Sequence, residues 1–526
     1  MEKTHLRRNK ALFIAYCVVI TLLMGRVAFI QIISHEELEQ AAISQYEIVI
    51  ENLDTRGIIL DRNYRPLTGG TNQYYYFIRK EKEDKKLENI ILDLRGRVVS
   101  TEDSSYLVFR TEDFKEKKNA LLKEEYGAYV FRSQARYADD QIACHLVGYI
   151  NQDEKIGVSG LELLYQEKLK ETGDELSLWA DAGGNIIRGQ SPKVLNKRNN
   201  SFDGNYVVTT IDRRLQYISE KALESDSKKG AVIVMNAKSG ELLAMASSPT
   251  FNPNDIQSYL AINDDCLINK SNQGAYPPGS VFKIVTALAA LEAGVSPEKE
   301  IECTGSTNIG GVELNCQNAK EGGHGLLNMK EAMAISCNCY FAELGKEIGV
   351  EVVIKQAEDL GFGKAVLENY PEETSGNLPN PQEVYEADTS NISIGQGEVL
   401  VTPLQIAQMT SIIANDGKYV KPSIELGKGK TKIQLVSKKN AIIIQDMLKE
   451  VMVSGTAKGN WKNIVGGKTG TAETGDKDEY CCWFTGYCKN EEALYVITVM
   501  VEGGRSGTAD ALPVFEDIVE YLNVIN

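Results

Sequence analysis

The chain has 526 residues, 43 % hydrophobic and 25 % charged, with a formal net charge of -16. That length predicts two or three domains, and the composition is that of a globular protein with real cores. The acidic balance repels phosphate and sets nucleic acid aside as a partner.

In chain order, the first element is ALFIAYCVVITLLMG (11–25), whose apolar run continues past Arg26 to Ile33. Residues 11–33 are long enough to span a bilayer as one helix. Lys3, Arg7, Arg8 and Lys10 precede the run, whereas His35, Glu36 and Glu37 follow it. The positive-inside bias then places the N-terminus in the cytoplasm and everything after residue 34 outside. No convincing small-x-small cleavage site follows, so the segment reads as a retained anchor rather than a signal peptide. Arg26 is costly inside such a span unless it snorkels to the outer headgroups or faces a membrane partner.

Residues 35–204 form a polar second region. YYYFI (74–78) reads as a strand, ENIILDLRGRV (88–98) as a helix with a frayed end, and RKEKEDKK (79–86) as a solvated face. Nothing in this region assembles into an active site. From about 205 the pattern changes. VVTTID (207–212) predicts a strand, RRLQYISEKALES (213–225) a helix, and AVIVMNAKSGELLAMASS (231–248) a β-hairpin. NIVGGKTGTAE (463–473), YCCWFTGYC (480–488) and ALYVITVMVEG (493–503) predict three more strands. The short loops between them favour antiparallel neighbours. LPVFEDIVEYLNVI (512–525) is an amphipathic helix. The expectation is an α+β domain, 205–526, in which the two ends build a five-stranded antiparallel sheet around a largely helical insert.

Ser-x-x-Lys occurs three times, at Ser225–Lys228, Ser280–Lys283 and Ser296–Lys299, so spacing alone selects none of them. Ser225 ends a helix in a polar stretch, and Ser296 precedes a proline, which suits a turn. Ser280 follows Pro277-Pro278-Gly279 and opens VFKIVTALAALEA, an almost wholly apolar helix that stops at Gly294. A helix N-terminus favours developing negative charge, and a desolvated Lys283 one turn along can act as a base for a serine that needs one. The bland alternative is a Lys283 that snorkels out of a core helix. Two further tripeptides weigh against that alternative: Ser336-Cys337-Asn338, after a Gly-rich loop, and Lys468-Thr469-Gly470, at the start of a strand and followed by Thr471.

In this order, the three motifs are the signature set of penicillin-binding proteins and class A β-lactamases. The chain as a whole resembles the class B penicillin-binding proteins, membrane-anchored peptidoglycan D,D-transpeptidases. RGIILDRN (56–63), GVSGLELLYQEKL (157–169), GAVIVMNAKSGELLAMASSPTFNPN (230–254), GQG (395–397), TPLQIA (402–407) and GKTGTAE (467–473) carry the likeness. The resemblance implies an anchor (1–34), an elongated pedestal (35–204) and a penicillin-binding, β-lactamase-like transpeptidase domain (205–526) with helices on both faces of the sheet. It also implies the roles. Ser280 attacks the D-alanyl–D-alanine carbonyl, and Lys283 takes its proton. Ser336 relays a proton to the leaving amine, and Asn338 holds the substrate amide. Lys468 adds positive field, while Thr469 and Thr471, with Gly470 between them, hold the terminal carboxylate. The backbone N–H groups of Ser280 and Thr471 form the oxyanion hole. Stem peptides are then the substrate, β-lactams the covalent inhibitors, and a SEDS-type glycosyltransferase the membrane partner. No cofactor is needed for this chemistry. A D,D-carboxypeptidase would differ only in its acceptor. A β-lactamase would need a water-activating Glu that the sequence does not place. A non-catalytic scaffold for a wall polymerase would have no use for intact Ser280, Ser336 and Lys468.

Ten cysteines sit oddly with an exterior location, where disulfides are usual. Cys17 in the span leaves an odd nine, and the close spacing of Cys337/Cys339 and Cys481/Cys482 is awkward for independent bridges. Cys303, Cys316 and His324 fall within 22 residues of a Gly-rich loop. Thiolate and imidazole suit a structural zinc, which needs four ligands. Cys339 is the first choice for the fourth, with Cys337 and the Cys481–Cys482 pair as alternatives. A Cys303–Cys316 disulfide and unpaired thiols compete with the metal.

Overall fold

The computed structural model describes the chain outside Met1, 35–46, 51–55, Gly70, 101–105, Asp139, 152–153, 171–174, 180–192, 196–205, 226–227, 263–264, 429–430, Asn460, Lys462, 476–478, 490–492 and Asn526. Helix α1 (Glu2–Ala28) runs on as a wider turn, Phe29–Ile33. Its stretch Arg8–Ile32 is long and apolar enough to cross a membrane. His35, Glu36 and Glu37, used above to orient it, lie outside the described residues.

The chain divides into two compact units, and they do not follow chain order: 1–56, 72–133 and 171–204 form the first, while 57–71, 134–170 and 205–526 form the second. A continuous 35–204 pedestal is therefore not what the structure draws. Strand β1 (Ile58–Leu60), within RGIILDRN, belongs to the larger unit.

The first unit holds β2 (Thr71–Arg79), α2 (Lys85–Asp93), β3 (Arg97–Val98), β4 (Tyr106–Thr111), α3 (Glu116–Glu125) and β5 (Tyr129–Ala135). Its sheet runs β3-β4-β2-β5. The expected strand at 74–78 forms, and its period of two explains why: Tyr76 and Ile78 join one core with Leu87, Ile90 and Leu122, while Tyr75 and Phe77 pack on the other face. The expected helix over 88–98 is corrected. It ends at Asp93, Arg95 takes a positive φ of 49°, and Arg97–Val98 pairs with Arg110 and Phe109.

In the second unit β6 (Tyr206–Val208) pairs in parallel with β1, setting Val207 opposite Ile59 in the main core. Gly57 N donates to Leu169 O at 2.9 Å, and Tyr137 Oη donates to the buried Glu162 at 2.9 Å. These bonds and the burial of Ile59, Leu161 and Leu169 are why both segments fold with the catalytic unit. Helix α4 (Arg213–Glu224) is followed by β7 (Lys229–Asn236) and β8 (Leu242–Ser248). Helices α5 (Lys283–Glu292), α6 (Met329–Ala334), α7 (Asn338–Ile348), α8 (Pro403–Ala414) and α9 (Lys438–Val453) make up most of the insert. Strands β9 (Ile464–Glu473), β10 (Tyr480–Lys489) and β11 (Leu494–Gly504) and helix α10 (Leu512–Ile525) follow.

The sheet order is β8-β7-β11-β10-β9, every pair antiparallel. Both faces are covered, as adjacent residues of β10 show. Phe484 packs edge-on against Phe515 of α10 at 4.6 Å between centroids, whereas Thr485 Oγ1 lies 2.7 Å from Thr410 Oγ1 of α8. Neighbouring strand residues point to opposite faces, so α8 and α10 flank the sheet. Every residue of α8 is buried, and its start is set by a Thr402–Gln405 capping box with Pro403 at N1.

Candidate active site

Ser280 stands on a tight turn, Gly279–Phe282, that leads directly into α5. Gly279 makes the turn possible. Its φ is +53°, and a Cβ there would stand 2.9 Å from Thr471 O. Gly395 of the GQG segment seats the turn by accepting from Gly279 N at 2.8 Å, and Trp483 Nε1 pins it by donating to Pro277 O at 2.9 Å. Ser225 and Ser296, by contrast, are exposed at the surface.

Lys283 does not snorkel. It is fully buried, with Nζ donating to Ser336 O at 2.7 Å, Ser336 Oγ at 3.3 Å and Asn338 Oδ1 at 2.6 Å. Ser336 sits between α6 and α7 with a φ of +58°, a strained conformation for a residue that is not glycine. Cys337 N holds that corner by donating to Ala332 O at 2.9 Å. Lys468 is equally buried and lies in the middle of β9 rather than at its start. Its Nζ reaches Ser336 Oγ at 3.0 Å and Thr469 O at 2.9 Å. The Ser336 hydroxyl thus bridges two lysines delivered by different elements. Burial pulls Lys283 down to about 8, partly offset by the thiols of Cys337, Cys316 and Cys339. Burial, then the neighbouring Lys283 charge, pulls Lys468 well below the usual lysine range.

Strand β9 passes against the serine turn at Gly470, where a Cβ would lie 2.8 Å from Val281 Cγ2. On either side of it, Thr469 Oγ1 lies 2.7 Å from Thr456 Oγ1, and Thr471 Oγ1 accepts from Gly507 N at 3.1 Å. Sequence reasoning misses Gly395, Thr456, Trp483 and Gly507. Gly395 is visible there as part of GQG, but no spacing ties any of the four to Ser280.

Cys303, Cys316, His324 and Cys337 bring their ligand atoms within 4.8 Å of one another, directly beside Ser336. His324 Nδ1 lies 3.6 Å from Cys303 Sγ and 3.4 Å from Cys316 Sγ, and Cys316 Sγ is 3.7 Å from Cys337 Sγ. The fourth member is therefore Cys337, not Cys339. Cys337 is the N-cap of α7, and its Sγ turns back to accept from Tyr340 N. Cys339, inside the first turn of α7, lies outside that four-atom group, though its thiol interacts with Cys303 and Cys316, and it lines a cavity with Ile301 and Glu343. Cys481 and Cys482 lie on β10 and are not in the group, and Cys303 and Cys316 carry thiols rather than a bridge.

A buried lysine pair on one serine hydroxyl, with a second serine on the turn that leads into the helix of one of those lysines, beside a flanked five-stranded sheet, defines a serine acyltransferase of the penicillin-recognising kind. The family described as penicillin binding protein transpeptidase domain matches residues 230–520, more than half of the chain. The chain belongs to that family, and within it to the class B penicillin-binding proteins. It is 26 % identical to the peptidoglycan D,D-transpeptidase MrdA of Acinetobacter baumannii, over 98 % of this chain and 88 % of that one. It is 28 % identical to the stage V sporulation protein D of Bacillus subtilis, over 97 % and 85 %. Among solved structures, it superposes with a TM-score of 0.74 and 26 % identity on a chain reported under "Structural coordination of polymerization and crosslinking by a peptidoglycan synthase complex", covering 97 % of each.

Proposed function

We propose that this protein is a monofunctional peptidoglycan D,D-transpeptidase. The observation that carries the reading is the buried Lys283–Ser336–Lys468 cluster beside the Ser280 turn. In its neutral form, Lys283 takes the Ser280 proton as Oγ attacks the carbonyl of the penultimate D-alanine. Ser336 passes a proton to the leaving amine, the C–N bond breaks, and D-alanine departs from an acyl-enzyme. An amine of a second stem peptide then takes the acyl group and frees Ser280. Burial and the Lys283 charge pull Lys468 below the usual lysine range in the empty site, and a substrate carboxylate at Thr469 and Thr471 favours its charged form. The test is penicillin, followed by peptide mapping. A stable adduct on Ser280 is expected. An adduct elsewhere overturns the reading, and rapid drug turnover replaces it with that of a β-lactamase.

A pH dependence follows from Lys283. The base must be neutral, and its pKa lies near 8, so acylation rises with pH below about 8 and levels off above it. An unperturbed lysine would level off only at about 10.4. The second-order rate of penicillin acylation between pH 6 and 10 checks the sign and the midpoint.

The N-terminal helix anchors the protein with its N-terminus in the cytoplasm, supported by the basic residues before the span. Arg26 lies within that span, exposed along the helix, with its guanidinium 5.6 Å from the Phe29 ring. It faces a SEDS-type glycosyltransferase that supplies glycan strands. Arg26→Leu is expected to weaken co-purification with that polymerase and leave penicillin acylation unchanged. Undiminished co-purification reduces Arg26 to a snorkelling residue.

Cys303, Cys316, His324 and Cys337 bind a structural zinc. Tetrahedral zinc with Zn–S of about 2.3 Å and Zn–N of about 2.0 Å sets S···S edges of about 3.8 Å and S···N edges of about 3.5 Å. Three of the six edges, at 3.7, 3.6 and 3.4 Å, match those values, and all six lie within 4.8 Å. Three sulfurs and an imidazole are a closed donor set, so the ion's part is to pin the loop to Ser336 and Asn338.

A further inference from the structure

Thr456 lies just past the end of α9 and is held on both sides. Its N–H donates to Ala334 O at 3.0 Å, two residues before Ser336, and its carbonyl accepts from Thr508 Oγ1 at 3.2 Å. The residue before it is a glycine of necessity, because a Cβ on Gly455 would stand 2.2 Å from Ala334 O. This backbone clamp sets the Thr456 hydroxyl 2.7 Å from that of Thr469, which is itself buried on β9.

One proton lies between those two oxygens, and which residue supplies it matters. A carboxylate only accepts hydrogen bonds, so Thr469 can hold one only by turning its own O–H toward it. Thr469 then has to accept from Thr456. If the bond ran the other way, the Thr469 proton would be spent on Thr456, and a lone pair would face the substrate anion.

We propose that Thr456 is a positioning residue that fixes this polarity: it donates to Thr469 and thereby turns the Thr469 proton toward the terminal carboxylate of the donor peptide. The proposal rests on the reading of Thr469 as a carboxylate-binding residue and adds the group that prepares it. Thr456 touches no reacting atom, and its effect is confined to substrates that carry the anion.

The experiment uses the full chain in detergent and two acyl donors. One is an N-acyl-D-alanyl thioester of thioglycolate, with a terminal carboxylate, and the other is the same thioester ending in a carboxamide. In each the acyl group moves from sulfur to Ser280 Oγ, and the thiol leaves with the serine's proton. Thr456→Val, which keeps the branched shape and removes the hydroxyl, is expected to slow acylation by the carboxylate donor about ten-fold, the scale of one hydrogen bond. It should leave the carboxamide donor within about two-fold, and Thr456→Ser should restore the wild-type rate. Equal losses on both donors would indicate a merely structural role and overturn the proposal. Unchanged acylation of Thr456→Val by the carboxylate donor, or failure of Thr456→Ser to rescue, overturns it as well. If wild type itself shows no preference for the carboxylate donor, the underlying assignment of Thr469 falls. If Ser280→Ala is still acylated, the site as a whole falls. The outcomes are therefore separable.

Discussion

Ser280→Ala abolishes covalent labelling of the full-length protein by penicillin, while Ser225→Ala and Ser296→Ala label like wild type. The expectation rests on surroundings rather than spacing, since all three serines have a lysine three residues on. Ser225 and Ser296 are exposed, whereas Ser280 opens a buried helix whose lysine is packed against Ser336 and Asn338. Lys283→Ala is expected to slow labelling by about 10²–10⁴-fold, the usual weight of a positioned general base. Lys283→Arg will not rescue it, because a guanidinium stays protonated and cannot accept the serine's proton. Lys468→Ala removes the second contact to Ser336 Oγ and should cost a comparable factor. Intact-mass and gel-labelling time courses read all of these. Labelling that survives in Ser280→Ala sinks the assignment.

Full-length protein purified without a metal-binding tag carries close to one zinc, and Cys316→Ser loses both the zinc and a large part of its thermal stability. Structural zinc contributes about 10–16 kcal/mol of apparent binding energy in small zinc-dependent folds, so even a fraction of that is large against ordinary domain stability. In the proposed site the ion would tie a loop to the Ser336 corner rather than build a whole core. Loss of zinc should therefore slow penicillin acylation, because Ser336 and Asn338 lose their register with Lys283. Cys488→Ser is the control: Cys488 lies on β10, outside the four-atom group, and this variant should keep its metal. A metal-free wild type with a mapped Cys303–Cys316 bridge disposes of the zinc.

The strands of the large sheet were legible because they are long and apolar and, within the pair β7–β8 and the run β9–β10–β11, separated by short loops, as antiparallel neighbours allow. The end of the 88–98 helix was not, because the turn at Arg95–Gly96 depends on Phe109 and Ile91, which leave no room for a Cβ at Gly96. The unit boundary was hidden for a similar reason. Ile59 and Leu169 read as apolar residues of a pedestal, and only their burial against Val207 and its neighbours assigns them to the catalytic unit.

By itself the sequence singled out the candidate residues: a serine and a lysine one turn apart on an apolar helix, a Ser-x-Asn, a Lys-Thr-Gly, and a Cys-Cys-His loop. Those are local patterns, and local patterns survive in one dimension. The tertiary structure decided how they meet. It placed Ser336 in a left-handed corner between two lysines, chose Cys337 over Cys339 by the direction an N-cap side chain takes, and set Thr456 behind Thr469. Each depends on backbone direction and on partners 13 to 132 residues away in the chain. Packing of the whole domain fixes such distances, and no spacing in the sequence encodes them.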